Sequence, residues 1–354
     1  MSKMKRRTCV AMLAAVSILA SAGVALPCSR VLWSGGGRGV YVGRNMDWME
    51  DMKSNLWVLP RGMARDGLAA VNPLRWRSKY GSLVITGYDS VSADGLNEKG
   101  LAAHMLYLAE TKVGPRDEAT PGLAISMWLQ YYLDQFGSVA EAVAATESKP
   151  FQLLMVTEPS SKQAGAVHIA LDDSSGDSAI FECIDGQIRV YHDRNALVMT
   201  NEPAFDKQEA NLRQYKGFGG DKPLPGTDEP ADRFVRAAYY VKHLPAAADE
   251  RESIAALLSV MRNVSAPFGV TDPARPNVSA TQWRAVTNLT GGVLYYDSVT
   301  NPGVFWVNMK AFDFDESAPV TKLQVAGVED LGGDVSSRFK PTEMFKFVAP
   351  TRAD

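Results

Sequence analysis

The residue with the clearest chemical potential is Cys28, because it lies within three residues of the end of a leader-like segment. If processing makes it the first residue of the mature chain, one residue carries both a thiol and an α-amine. An α-amine has a pKa of about 8, far below that of a lysine amine, so it is partly neutral near pH 7 and can take the thiol proton. This N-terminal nucleophile arrangement needs no histidine, and it predicts covalent catalysis by the thiol.

The segment before Cys28 has the order of a secretory signal peptide. Basic residues come first, at positions 3–7, a mostly apolar stretch without charge follows at 10–20, and mostly small residues occupy 21–25. The apolar stretch is too short to span a bilayer permanently, which argues against a membrane anchor. We therefore expect residues 1–27 to be a signal peptide and short leader, and the protein to be periplasmic or secreted. No later segment has a transmembrane pattern, so no membrane contact is expected after processing.

Three considerations bear on this interpretation of Cys28. Signal peptidase would more naturally cut after Ala25 and leave Leu26-Pro27 ahead of the cysteine, so a second trimming step is predicted. A lipidated cysteine would need an aliphatic residue three places earlier and a small one just before it, whereas Ala25 and Pro27 occupy those places. A disulfide with Cys183 is the structural alternative, but the apolar, strand-like run around Cys183 favours a buried, inert thiol.

Other catalytic patterns are absent from the sequence. The four histidines form no paired metal motif, there is no CxxC, and no Gly-x-Ser-x-Gly anchors a serine triad. The glycine run at 34–37 is not followed by the Lys-Ser/Thr of a phosphate loop. A formal net charge of -3 gives no broad basic surface for nucleic acid. We therefore predict no metal, no cofactor and no nucleic-acid partner.

Short β-prone runs separated by turn residues dominate the chain. They predict strands at 30–33, 40–43, 55–59, 82–88, 101–108, 167–171, 180–181, 188–191, 293–296 and 304–307. Turns are predicted at 34–37, at Asp94-Gly95, at 173–176 and at Asp185-Gly186. Because short turns join neighbouring runs, the strand pairs should be antiparallel hairpins.

Apolar residues at helical spacing predict helices at 122–136, 139–145, 231–244 and 250–262. Ser138, with Glu141 three residues later, has the pattern of a capping box at the start of the second of these. Sheets covered by two helical blocks predict one α+β domain over residues 28–354, because no repeat or linker divides the chain.

Five motifs occur in order along the chain. They are Cys28-Ser29-Arg30, Gly43-Arg44-Asn45-Met46-Asp47-Trp48, Asp94-Gly95-Leu96-Asn97-Glu98-Lys99-Gly100-Leu101, Met199-Thr200-Asn201-Glu202-Pro203, and Leu224-Pro225-Gly226 followed by Asp232-Arg233-Phe234. In this combination the chain resembles the choloylglycine hydrolase family, which contains penicillin V acylases and conjugated bile salt hydrolases. The resemblance covers essentially the whole mature chain and implies the N-terminal nucleophile (Ntn) hydrolase fold, a four-layer αββα sandwich of antiparallel sheets. In detail it is closer to the exported penicillin V acylases of Gram-negative bacteria than to cytoplasmic bile salt hydrolases.

The resemblance implies a role for each matching residue around the thiol. Cys28 would be the nucleophile and, through its amine, the base, while Asp47 would hydrogen-bond and orient that amine. Arg44 would lie beside the thiol, where a fixed positive charge favours the thiolate. On spacing alone, Arg44 and Asp47 would instead form a surface ion pair.

Further matches concern the oxyanion and the acyl group. Asn201 matches the asparagine whose amide donates to the oxyanion, and Tyr107 aligns with the position whose backbone N–H completes the oxyanion hole. Arg233 matches the remaining active-site arginine. Without the resemblance, Asn201 would be a turn residue and Arg233 a solvated helix residue. Trp48 and Tyr107 are aromatic residues beside catalytic positions, which suits either acyl-group binding or core packing.

The implied reaction is cleavage of a linear amide through a thioester intermediate. We expect hydrolysis of penicillin V to 6-aminopenicillanic acid and phenoxyacetate, with long-chain N-acyl-homoserine lactones as a second substrate class. A conjugated bile salt hydrolase is the enzymatic alternative, and an exported acyl-ligand binding protein with a blocked amino terminus is the non-enzymatic one. The expected partner is a small acyl amide, and the family implies a homotetramer.

Overall fold

The computed structural model describes residues 28–35, 38–157, 162, 164–270 and 279–350. The leader at 1–27 and the centre of the glycine turn at 34–37 lie outside these residues, and so do the predicted signal peptide and its trimming. In the part of the chain that is described, no helix is long and apolar enough to cross a membrane.

Short strands form most of the regular structure, as the many β-branched and aromatic runs predict. The strands are β1 (Ser29–Trp33), β2 (Tyr41–Trp48), β3 (Leu56–Leu59), β4 (Ala64–Asp66), β5 (Arg75–Arg77), β6 (Ser82–Gly87), β7 (Val91–Asn97), β8 (Leu101–Tyr107), β9 (Gly122–Ala124), β10 (Gln152–Leu154), β11 (Val167–Asp173), β12 (Ser178–Ile184), β13 (Gln187–His192), β14 (Val198–Thr200), β15 (Ala280–Asn288), β16 (Val293–Ser298), β17 (Val304–Asn308), β18 (Thr321–Leu323), β19 (Gly333–Asp334) and β20 (Lys340–Pro341). The helices are α1 (Trp128–Gln135), α2 (Val139–Glu147), α3 (Phe205–Leu212), α4 (Pro230–Lys242) and α5 (Glu250–Asn263).

The first sheet has the strand order β14-β1-β2-β15-β16-β17-β19, and it positions Cys28. Its pairs are antiparallel except for β17 with β19. Strand β1 lies between β2 and β14, so that Ser29 is opposite both Asn45 and Thr200. Cys28 directly precedes β1 and therefore lies beside Asn201, which directly follows β14.

The second sheet has the order β13-β12-β11-β8-β7-β6-β3-β18-β20 and is antiparallel throughout. Strand β8 lies in its middle and ends at Tyr107. Alternate residues of β8 join different cores: Ala102 and Leu106 face the first sheet, and Ala103 and Met105 face the helices on the other side.

Helices cover the outer face of each sheet. Helices α4 and α5 pack on β1, β2, β14 and β15, whereas α1 and α2 pack on β7, β8 and β11–β13. The two sheets therefore lie face to face between two helical layers, which confirms the predicted αββα sandwich.

The helix predicted at residues 122–136 is wrong in its first part. Gly122–Ala124 is strand β9, paired in parallel with β10, and α1 begins only at Trp128. The reason is a set of long-range backbone bonds: Gly122 N–H donates to Asn72 O at 2.8 Å, and Gly122 O accepts from Leu74 N–H at 2.8 Å. These bonds outweigh a local apolar pattern that fits a helix.

The turn predicted at Asp94-Gly95 is also wrong, because both residues lie inside β7. A Cβ at Gly95 would lie 2.6 Å from Leu83 O, so this glycine permits close packing rather than a turn. The turn between β7 and β8 occupies residues 97–100 instead, where Gly100 has a φ of 85° and its N–H donates to Asn97 O at 3.0 Å.

The predicted cap of α2 is present in modified form. Ser138 Oγ accepts from Glu141 N–H at 3.3 Å, and α2 begins at the next residue. The Glu141 carboxylate accepts from Gly137 N–H at 2.8 Å. In a capping box it would accept from the N–H of Ser138, the next residue.

Candidate active site

The thiol of Cys28 is buried at the start of β1. Its Sγ lies 3.5 Å from Asp47 O and 4.0 Å from Met46 Sδ. Arg44 Nη2 lies 3.9 Å from the same methionine sulfur and donates to Met105 O at 2.7 Å. Arg44, Met46 and Trp48 share one face of β2, because side chains two apart on a strand point the same way. The guanidinium is thereby held close to the thiol.

The backbone of Cys28 is held by two buried side chains. Its N–H donates to Asn201 Oδ1, and its carbonyl accepts from Arg233 Nη1 at 2.6 Å. Arg233 also donates to Ser29 Oγ at 2.6 Å and to Asn201 Oδ1 at 3.0 Å. Burial lowers the pKa of Arg233, partly offset by the Asp47 carboxylate. Arg233 is therefore a buried structural centre of the site rather than a solvated helix residue.

The amide of Asn201 also reaches the end of β8. Asn201 Nδ2 donates to Tyr107 O at 2.8 Å. Leu108 N–H donates to Ala166 O at 3.0 Å, so these two residues form a hydrogen-bonded pair of the antiparallel ladder. Because such pairs alternate with non-hydrogen-bonded pairs, Tyr107 and Val167 form a non-hydrogen-bonded pair. The N–H of Tyr107 therefore points away from β11, to the side on which its carbonyl meets Asn201.

Asp47 lies on the opposite face of β2 from Arg44, so the two do not form the surface ion pair that spacing alone suggests. The carboxylate is fully buried, and neither of its oxygens has a hydrogen-bond partner among the described residues. Burial raises the pKa of Asp47 from 3.8 to about 6, although the nearby Arg233 guanidinium and Thr281 hydroxyl act to lower it. Next to it, the register of β15 on β2 shifts between Thr281 and Trp283. Such bulges commonly redirect side chains beside active sites.

A chain of buried charges lies behind Arg44. Arg44 Nε is 3.7 Å from Asp94 Oδ2, which is 2.6 Å from His104 Nδ1. His104 Nε2 is 3.5 Å from Asp172 Oδ2, which accepts from Arg30 Nε at 2.7 Å. Burial lowers the pKa of His104, although the adjacent Asp94 carboxylate acts to raise it. Burial likewise lowers the pKa of Arg30 to about 9. The buried Asp94 carboxylate, itself in contact with His104, therefore helps to fix the position of Arg44.

A cavity with about 820 Å³ of empty space, its open mouth included, adjoins the thiol. Its walls are mostly apolar, and both aromatic residues predicted to bind substrate, Trp48 and Tyr107, line it. Tyr88 lines it as well, and accepts from Trp48 Nε1 at 2.9 Å. Apolar walls beside a few polar groups are typical of a small-molecule site.

The second described cysteine takes no part in this site. Cys183 lies in β12 and is a free, buried thiol, as is Cys28, so the two do not form a disulfide. Burial raises the pKa of the Cys183 thiol to about 11.

We expect the substitution Cys183→Ala to leave kcat/KM unchanged and to lower the free energy of unfolding by about 1 kcal/mol, because it removes only a buried sulfur. Steady-state kinetics and urea unfolding measure the two effects. A large loss of activity in this variant would contradict the assignment of the nucleophile to Cys28.

The structure brings all the predicted site residues together within one region. They are Cys28, Arg44, Asp47, Trp48, Tyr107, Asn201 and Arg233. The sequence interpretation missed Met46, although its position two residues from Arg44 on a strand was a signal. It also missed His104, a lone polar residue in an otherwise apolar strand, and Thr281, for which no signal existed because β15 was not predicted.

Several known proteins are similar to this chain in sequence or in fold. The sequence model of linear amide C-N hydrolases of the choloylglycine hydrolase family matches residues 28–322. A penicillin V acylase of Pectobacterium atrosepticum is 36% identical over 96% of this chain and 97% of its own length. A bile salt hydrolase/transferase of Clostridium perfringens is 25% identical over 77% of this chain and 89% of its own length. Among solved structures, penicillin V acylase from Agrobacterium tumefaciens matches with a TM-score of 0.83 and 41% identity, covering 91% of this chain and 100% of that one.

Proposed function

This chain belongs to the choloylglycine hydrolase family of linear amide C-N hydrolases, and we propose that it cleaves acyl amides with Cys28 as an N-terminal nucleophile. Similarity over almost the whole length makes it a penicillin V acylase-like enzyme. The single observation that carries the proposed mechanism is the position of Cys28. Its thiol faces an apolar cavity while Asn201 and Arg233 hold its backbone.

In the proposed mature enzyme, removal of residues 1–27 turns the Cys28 nitrogen into an α-amine. This amine takes the thiol proton, and the thiolate attacks the amide carbonyl carbon. The buried Asp47 carboxylate, which has no hydrogen-bond partner among the described residues, is the natural counter-ion for the resulting ammonium, because a buried charge is costly until it is paired. Arg44 supplies fixed positive charge near the sulfur.

The tetrahedral intermediate needs donors for its negative oxygen. Asn201 Nδ2 donates one of its two hydrogens to Tyr107 O, and the second can be donated to the oxyanion. The Tyr107 N–H points to the same side. We assign these two groups to the oxyanion hole. The leaving amine takes the proton from the α-ammonium as the carbon–nitrogen bond breaks, which leaves a thioester on Cys28. Water, deprotonated by the same amine, then releases the carboxylic acid.

For the substrate we propose penicillin V, whose phenoxyacetyl group suits a cavity walled by Trp48, Tyr88 and Tyr107. Long-chain N-acyl-homoserine lactones are the second proposed class, since an apolar cavity also accepts an alkyl chain. Bile salts are the alternative, and they are the substrates that the 25% identical relative is named for.

We further propose that the enzyme is exported by the leader, trimmed in a second step that removes Leu26-Pro27, and assembled as a homotetramer. These proposals rest on the basic-apolar-small order of the leader and on the family pattern.

The test combines intact mass and turnover on one preparation. Protein recovered from the periplasm or medium should have a mass that corresponds to a first residue at Cys28, and it should release 6-aminopenicillanic acid from penicillin V. Glycocholate and a long-chain acyl-homoserine lactone are run in parallel to rank the three classes.

Two outcomes would contradict the proposal. A fully active chain that still begins at Leu26 would exclude the α-amine as base. Binding of acyl compounds with no release of amine from any of the three substrates would favour the non-enzymatic alternative, an exported acyl-ligand binding protein.

A further inference from the structure

The wall of the cavity includes a segment far along the chain. Residues 345–348, which we name the carboxyl-terminal strap, follow β20 in the chain, and Val348 lines the cavity. The sequence model of the family ends its match at residue 322. This part of the wall is therefore not specified by the pattern that the family shares.

The strap is anchored at both sides of the cavity. Val348 N–H donates to Ser90 O at 3.1 Å, and Val348 O accepts from Ser126 Oγ at 2.6 Å. Ser90 and Ser126 both line the cavity themselves. Two hydrogen bonds on opposite sides of one residue fix Val348 as a bridge between the start of β7 and the turn before α1.

Aromatic packing holds the preceding residues. The Phe345 ring is buried and meets Trp57 edge-on with centroids 5.1 Å apart, and Phe347 packs on Phe345 at 4.8 Å. Arg65 Cζ lies 5.9 Å from the Phe347 ring centroid. The strap is thus a built element of the fold, and the packing of its two aromatic rings keeps Val348 in place.

Residues of the proposed catalytic site line the same cavity as Val348, namely Cys28, Arg44 and Trp48. A substrate whose carbonyl meets the thiol must extend its acyl group into the space that remains. We infer that Val348 is a specificity-determining residue that limits the size of the acyl group. The inference rests on the proposed function and deepens it, because it names the chain segment that selects among acyl amides.

The matched variants are Val348→Ala, which enlarges the cavity, and Val348→Phe, which fills it. One methylene in an apolar pocket changes kcat/KM by roughly 10–200-fold, so the ratio of kcat/KM for decanoyl over phenoxyacetyl amides should rise by about tenfold in Val348→Ala. The same ratio should fall by about tenfold or more in Val348→Phe. Lys346→Ala is the control, since Lys346 is exposed in the same segment and should keep the wild-type ratio.

A second measurement guards against loss of folding. Each variant is titrated with phenoxyacetate and with decanoate while its Tm is followed, so that product binding is recorded independently of turnover. A chain that ends at Phe347 removes Val348 and both of its hydrogen bonds, and it should bind decanoate more tightly relative to phenoxyacetate.

The outcomes separate the two proposals. If the wild-type enzyme is active but both Val348 variants and the shortened chain keep the wild-type acyl preference, the inference about the strap is overturned. If the wild-type enzyme hydrolyses no acyl amide, the proposed function fails instead. A Val348 variant whose Tm responds differently from the wild type to decanoate and phenoxyacetate would then still support a selective acyl pocket.

Discussion

Replacing Cys28 with serine is expected to lower kcat/KM for penicillin V by about 10⁴–10⁶ while the fold is retained. The hydroxyl fills the same buried space as the thiol. It is a much weaker nucleophile than the thiol, however, because an alcohol is far less acidic and is almost never ionised near neutral pH. The measurement is steady-state release of 6-aminopenicillanic acid, followed in matched preparations of both proteins.

The comparison requires that both proteins begin at position 28. Expression with an initiator methionine directly before that position, followed by its removal, gives matched amino termini and avoids any dependence of leader trimming on the thiol. Mass analysis of acid-quenched turnover mixtures adds a positive control, since wild-type protein should carry the phenoxyacetyl group on Cys28. Retention of a tenth of the activity by Cys28→Ser, or an acyl group on Cys183, would contradict the assignment.

The antiparallel hairpins were predictable because short β-prone runs and turn residues are local signals. The turn at Asp185-Gly186 and the strand pair at 167–171 and 180–181 are examples, and the structure confirms both. The site residues were predictable for a different reason. Their roles came from a resemblance carried by motifs, because spacing alone favoured ordinary surface and turn residues for Arg44, Asn201 and Arg233.

Features that depend on long-range contacts were not predictable. Strand β15 is the longest strand among the described residues and lies next to β2, yet its sequence mixes polar and apolar residues without clear alternation. The bulge at Thr281 and the charge chain through His104 arise only when strands distant in sequence are paired. Strand β9 is a similar case. The backbone of Gly122 bonds to Asn72 and Leu74, which are distant in sequence.

The substitution Asp47→Asn is expected to reduce kcat/KM by about 10²–10⁴ in protein that begins at Cys28, because general acid–base steps contribute about that much. Asparagine keeps the shape of the side chain but cannot balance the charge of the α-ammonium or orient it as strongly. The pH profile of kcat/KM supplies a check, since loss of the carboxylate should shift the limb that reports the α-amine to lower pH.

The same substitution is expected to stabilise protein in which residues still precede Cys28. There the carboxylate is buried without a hydrogen-bond partner among the described residues, and burial raises its pKa from 3.8 to about 6. A folded-state pKa above the unfolded value means that the folded chain binds the proton more tightly. Stability is therefore greatest below about pH 4, falls as pH rises toward about 6, and is flat above it, with a total loss of about 3 kcal/mol.

Asp47→Asn should remove this pH dependence and raise the free energy of unfolding at pH 7 in the longer chain. In protein that begins at Cys28, the α-ammonium pairs with the carboxylate, so the gain should shrink or change sign. Four proteins are compared by urea unfolding: the longer chain and the chain that begins at Cys28, each with Asp or Asn at position 47. They form a double-mutant cycle, and its coupling energy measures the interaction between the α-amine and the carboxylate. Equal effects of the substitution in both chains would show that Asp47 does not interact with the α-amine, and the orientation of the base would have to come from Asn201 and Arg233 alone.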